Sequence, residues 1–90
     1  MLYALICTDR PGALDIRKAN RDAHLAYIAD TGCVLQAGPF LDAAGEMCGS
    51  LVVLDVADRT AAETWAAKDP YAAADLFETV TIRPWKKVVG

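Results

Sequence analysis

Between Gly12 and Gly32 the chain carries neither glycine nor proline, and Ala13–Thr31 is filled with Ala, Leu, Arg and Lys, which all favour helix. A long helix is what fits that stretch, and the other elements must pack against it. Its stop is Gly32, a residue that accepts the left-handed conformation common just past a helix end. Arg17, Arg21, His24 and Ile28 follow at steps of four, three and four, which places them on one stripe of the helix. Leu14, Leu25 and Ile28 form its apolar edge. The stripe therefore joins two permanent positive charges to the chain's single histidine. Such a patch can bind an acid and move a proton on it.

On either side of this helix the sequence reads as short strands. Leu2–Thr8 (LYALICT) is apolar and β-compatible, and Asp9-Arg10-Pro11-Gly12 closes it with turn chemistry. Cys33–Ala37 (CVLQA) is a second strand stopped by Gly38-Pro39, and residues 39–49 show no period, so a loop or wide hairpin is expected there. Ser50–Val56 (SLVVLDV) is a third strand, whose nearly continuous apolar character implies cover on both faces. Thr60-Ala61-Ala62-Glu63 has the pattern of a capping box, so a second helix should start there and bury Ala62, Trp65 and Ala66. That helix ends at Lys68, because Pro70 pushes Asp69 out of helical geometry. Asp69 then fits as the N-cap of a short helix over 71–75, with Pro70 at its first position. Phe77–Ile82 (FETVTI) alternates as a last strand, closed by Arg83-Pro84-Trp85 and followed by a basic tail.

The order β-α-β-β-α-(α)-β predicts one α+β, ferredoxin-like domain over residues 1–90, with a four-stranded antiparallel sheet covered by helices on one face. The opposite face is left open, and the apolar strands predict that a second copy covers it as a homodimer. A chain of 90 residues has little stability to spare, so association would help it. The net charge of −3 and pI near 4.9 leave no basic footprint for nucleic acid. No apolar run approaches the roughly 18 residues of a membrane span, and the start of the chain lacks signal-peptide character, so a cytoplasmic protein is expected. Cys7, Cys33 and Cys48 are odd in number and widely spaced, and one histidine cannot complete a metal set. Free thiols and no cofactor are the expectation.

Five stretches in register resemble the YciI (YCII-related) family: RDAHLAYI in the first helix, AGPF after the second strand, GS opening the third, KDPYAAA before the last strand and TIRPWKKV at the end. The resemblance implies a dimeric α+β barrel related to muconolactone-isomerase-like folds. It also implies a cleft in which a helix histidine is paired with an aspartate, and these positions fall on His24 and Asp69. Some YciI-like proteins eliminate hydrogen chloride from chlorinated aromatic substrates, which implies proton-abstraction chemistry. One departure is local: where the family often has Arg-Pro before the Ala-His-Leu of this helix, the chain has Arg21-Asp22, which leaves the helix uninterrupted.

An imidazole titrates near neutral pH, and a carboxylate on its far nitrogen would fix the tautomer and stabilise the imidazolium. Asp69, at a bend fixed by Pro70, is the candidate partner, one oxygen capping the short helix and the other facing His24. From residues alone, a lone helix histidine is as well explained by a bond to a carbonyl, and Asp-Pro by capping. Arg17 or Arg21, with Ser50 as a donor, would hold an oxygen of a small anionic ligand, against the plainer readings of a solvated helix face and a serine that merely opens a strand. Tyr27, Tyr71 and Trp65 could wall a pocket for a ring or could be core, and Gly38 and Pro39 shape the turn beside it. Nothing marks a nucleophilic serine or a cysteine of lowered pKa. The expectation is a cofactor-independent lyase or isomerase acting on a small anionic or aromatic metabolite through His24 and Asp69. The alternatives are a non-catalytic dimer that binds a small acid for sensing or an accessory role, and a purely structural dimerisation domain.

Overall fold

The computed structural model describes residues 1–90, in the order β1 (Leu2–Asp9), α1 (Leu14–Thr31), β2 (Val34–Leu41), β3 (Met47–Asp55), α2 (Arg59–Lys68), α3 (Pro70–Ala73) and β4 (Phe77–Trp85). The strands form one antiparallel sheet ordered β2-β3-β1-β4, the ferredoxin-like α+β arrangement. No helix is long and apolar enough to cross a membrane.

Strand alternation decides what each face holds. Tyr3, Leu5 and Cys7 of β1 point to the helices with Val52 and Leu54 of β3, and together with Ala62 and Trp65 of α2 they make the main core. Ala13, Tyr71 and Leu76 form a second, smaller core. The only fully buried residues of α1 are Arg17 and His24. Its apolar edge is half-buried at Leu14 and Ile28, and Leu25 is 48% exposed. The inward face of the longest helix is therefore polar, and polar groups stay buried only with partners.

Several boundaries move from the sequence expectation. β2 runs through Gly38-Pro39 to Leu41, and β4 runs through Pro84 to Trp85. Both are edge strands, where a missing amide hydrogen is tolerated. Of the loop or wide hairpin expected over residues 39–49, the hairpin forms: β2 and β3 run into it and turn where Asp42 Oδ1 accepts from the Ala44 and Glu46 amides at 2.9 and 3.0 Å. The N-cap of α2 is Asp58, which accepts from the Ala61 amide at 2.9 Å, so Thr60 and Glu63 form no capping box and Glu63 instead pairs with Arg59. α3 covers only Pro70–Ala73, capped by Asp69 as expected. Gly32 does end α1, at φ 65°.

The open face of the sheet carries the cross-strand pairs Ala4/Val53, Ile6/Leu51 and Thr8/Gly49. Helices cover β3 on one face only. On the other, Val53 is 2% exposed and Leu51 half-buried, while Ile6, Phe40 and Trp85 stay 36%, 39% and 39% exposed. At Gly49 the strands come so close that an added Cβ would collide with the Cys7 carbonyl oxygen.

Candidate active site

Asp9 continues the alternation of Leu5 and Cys7 and so ends β1 on the helix side, buried. Arg17 lies in the first turns of α1 and meets it there. Nε donates to Oδ2 at 2.7 Å and Nη2 to Oδ1 at 2.8 Å, a bidentate pair whose two side chains are at most 5% exposed. Nη2 also donates to Ser50 Oγ at 2.9 Å, across from Cys7 in the β1–β3 ladder. Burial opposes the charge on Arg17, but the hydrogen bonds and charge of Asp9 outweigh it and hold the guanidinium above its ordinary pKa. The neighbouring Cys7 thiol is pushed up to about 12, by burial first and by Asp69 next, against the pull of Arg17. It is an inert side chain near neutral pH.

Two turns further along α1, His24 Nδ1 lies 2.8 Å from Asp69 Oδ1. The same oxygen accepts the Tyr71 amide at 3.0 Å, so capping and histidine contact fall on one oxygen, not on two. An ionised carboxylate can only accept, which puts the proton of the neutral imidazole on Nδ1 and leaves the lone pair on Nε2. Nε2 makes no hydrogen bond within the protein. The Tyr71 ring stacks on the imidazole at 3.9 Å and 15°, and the Arg17 guanidinium carbon sits 4.8 Å from the centre of the same ring. Burial raises the Tyr71 phenol, opposed by the Arg17 charge.

These groups share a cavity of about 180 Å³. Arg17, Arg21, His24, Ser50 and Tyr71 supply its polar wall, and Leu25, Ile28, Ala37, Pro39, Met47 and Val52 its apolar one. A cavity of roughly 150 Å³ already admits a benzene ring, so one substituted six-membered ring fits. The two arginines are not equivalent. Arg17 is neutralised by Asp9, whereas Arg21 is exposed at the rim and has no ion pair or hydrogen bond within the chain. Arg21 is therefore the one cation of the site without a partner in the chain.

Tyr27 and Trp65 do not wall this cavity. The Tyr27 hydroxyl donates to the Trp65 carbonyl at 2.8 Å, their rings lie 4.9 Å apart, and both line a separate groove beside α2. Gly38 and Pro39 do reach the cavity, as strand residues. Asp9 is the site residue that sequence reasoning passed over as turn chemistry. The signal that marks it is parity, since Leu5, Cys7 and Asp9 fall on one face of β1. No three His, Cys, Asp or Glu side chains converge as a metal cage.

The YCII-related domain matches residues 1–86. Protein YciI of Escherichia coli O6:H1 is 38% identical over 97 aligned positions, covering 98% of this chain and 99% of that protein. An uncharacterized protein of Haemophilus influenzae is 34% identical with the same coverage. Among solved structures, the 5-chloro-2-hydroxyhydroquinone dehydrochlorinase TftG of Burkholderia phenoliruptrix AC1100, in complex with 2,5-dihydroxybenzoquinone, superposes with a TM-score of 0.89 at 30% identity, over 96% of this chain and 94% of that one. With a family match across nearly its whole length and relatives of like size, the chain belongs to the YCII-related family.

Proposed function

We propose that the chain is a cofactor-independent enzyme that moves a proton on a small oxygen-bearing ring. The observation that carries this reading is the 2.8 Å contact by which Asp69 backs His24, a residue in the wall of a ring-sized cavity. With Nδ1–H held by the carboxylate, Nε2 is the basic nitrogen, and Asp69 offsets the charge that the ring gains with the proton. Arg21 at the rim draws in an anionic substrate and stabilises negative charge as it develops. The TftG likeness supports an elimination from a halogenated ring. His24 takes the proton, the electron pair it leaves forms the new double bond, and the halide departs with its own pair. That balance needs no oxidant or reductant.

The working unit in this reading is a homodimer formed through the open sheet face, which the exposed Ile6, Phe40 and Trp85 support. Three free thiols support a reducing, cytoplasmic setting. The test is chloride release from chlorinated hydroquinones. Wild type releases chloride, His24→Ala does not, and Arg21→Ala chiefly raises KM. Ring ligands that bind with no turnover across such a panel would sink the enzyme and leave a binding module.

A further inference from the structure

The buried ion pair beside the histidine has no part in the proton transfer above, yet its arginine forms part of the cavity wall and holds a second wall residue, Ser50. A serine hydroxyl has one proton to give and two lone pairs to receive with. Arg17 Nη2 occupies one lone pair of Ser50 Oγ at 2.9 Å, and Ser50 donates to no group of the protein. Ser50 is 3% exposed and forms part of the cavity wall, so its proton is left for an acceptor in the cavity. Buried hydroxyls find acceptors. The arrangement cannot relax by turning Arg17 aside, because Asp9 holds its guanidinium by two hydrogen bonds of 2.7 and 2.8 Å.

We infer that Asp9 is a positioning residue, which acts through Arg17 to fix Ser50 as a hydrogen-bond donor and so makes the cavity select a ligand carrying an anionic oxygen, a phenolate or enolate. The inference rests on the proposed reading only in taking this cavity as the ligand site. Asp9 and Arg17 cancel each other's charge, so the string contributes direction and polarisation to the Ser50 hydroxyl, not net charge. Attraction and aim are thereby divided: Arg21 attracts the anion, and Arg17 aims the donor that receives it.

The test is equilibrium binding of two probes to the full chain, 4-nitrophenolate and its uncharged methyl ether 4-nitroanisole. Wild type is expected to prefer the phenolate by about tenfold or more, the scale of a hydrogen bond to a charged group. Ser50→Ala loses most of that preference and Ser50→Thr keeps it. The decisive variant is Asp9→Leu/Arg17→Met, which leaves the net charge and Ser50 in place and trades a buried ion pair for apolar volume, an exchange that folds often tolerate. It too loses the preference, and the visible band of the bound phenolate moves to longer wavelength, as it does in Ser50→Ala. Should the double variant fail to fold, the band position in Asp9→Asn decides in its place. No preference in wild type, or an unchanged preference and band in the double variant, overturns the inference. A wild type that binds the phenolate selectively but shows no turnover defeats the enzyme reading and leaves this one standing.

Discussion

Asp69 Oδ1 sits 2.8 Å from His24 Nδ1 while the Tyr71 amide donates to the same atom at 3.0 Å. One oxygen thus sets both the start of α3 and the orientation of the imidazole. Asp69→Asn can turn its NH2 group toward Nδ1 and so reverse which ring nitrogen carries the proton. Long-range proton–nitrogen NMR should find Nδ1 protonated in neutral wild-type His24 and Nε2 protonated in a large share of the variant. Turnover should fall by about a hundredfold or more, the usual weight of a positioned general base. An unaltered tautomer with unaltered turnover would remove Asp69 from the mechanism.

Arg17→Met alone strands the Asp9 carboxylate in the interior and should cost roughly 3–5 kcal/mol in urea unfolding. Adding Asp9→Leu should restore most of that loss, because neither charge is then left unpaired. If the double variant is as unstable as the single, packing around the arginine stem, and not charge pairing, is what the site depends on.

Cys7 titrates at about 12 in the fold against an ordinary value of 9.0, so the folded state keeps a proton that the unfolded chain gives up. The stabilisation is whole below about pH 9 and drains away as pH climbs toward about 12, to a total of roughly 4 kcal/mol. Tyr27 and Tyr71 are shifted upward as well and add to the decline in the same direction. Urea midpoints from pH 8 upward should fall steeply in wild type and more gently in Cys7→Ala. Parallel curves would mean that the thiol does not feel its burial.

Gly49 faces the Cys7 carbonyl with no room for a side chain. Gly49→Ala should separate β3 from β1 next to Ser50 and cost about 1–3 kcal/mol, the usual range for overpacking. Because Ser50 moves with the strand, the phenolate preference should weaken in the same variant. A thermal melt unchanged from wild type would show that the strands give way freely there.

The open face is tested by Ile6→Glu, which places a charge opposite Leu51 without touching the helix-side core. Wild type should elute as a dimer whose Tm rises with protein concentration, and the variant as a monomer whose Tm does not. A wild type that is monomeric at every concentration would dispose of the homodimer.

How far the sequence carried depends on how local each signal was. The helix bounded by glycines and the Asp69-Pro70 cap are decided within a few residues, and both stand where they were expected. Gly38-Pro39 misled because a proline ends a central strand but not an edge strand, and edge position is a property of the whole sheet. Thr60 and Glu63 matched a capping box while Asp58, two positions earlier, took the role. Arg17 and Arg21 lie on one stripe and read alike. What separates them is Asp9, eight residues upstream of Arg17 and brought beneath it by the turn between β1 and α1. Sequence parity could place Asp9 on the inner face, but the pairing itself is tertiary.

Pro39 and Pro84 occupy the two margins of the sheet. Neither can give a neighbouring chain an amide hydrogen, so neither margin can template an unbroken ladder with another molecule. Sideways growth is interrupted at both margins of the sheet, which leaves the flat side to the dimer proposed above. A dimer closed there would use up the surface that drives it, and so would end as a closed particle and not as a fibre.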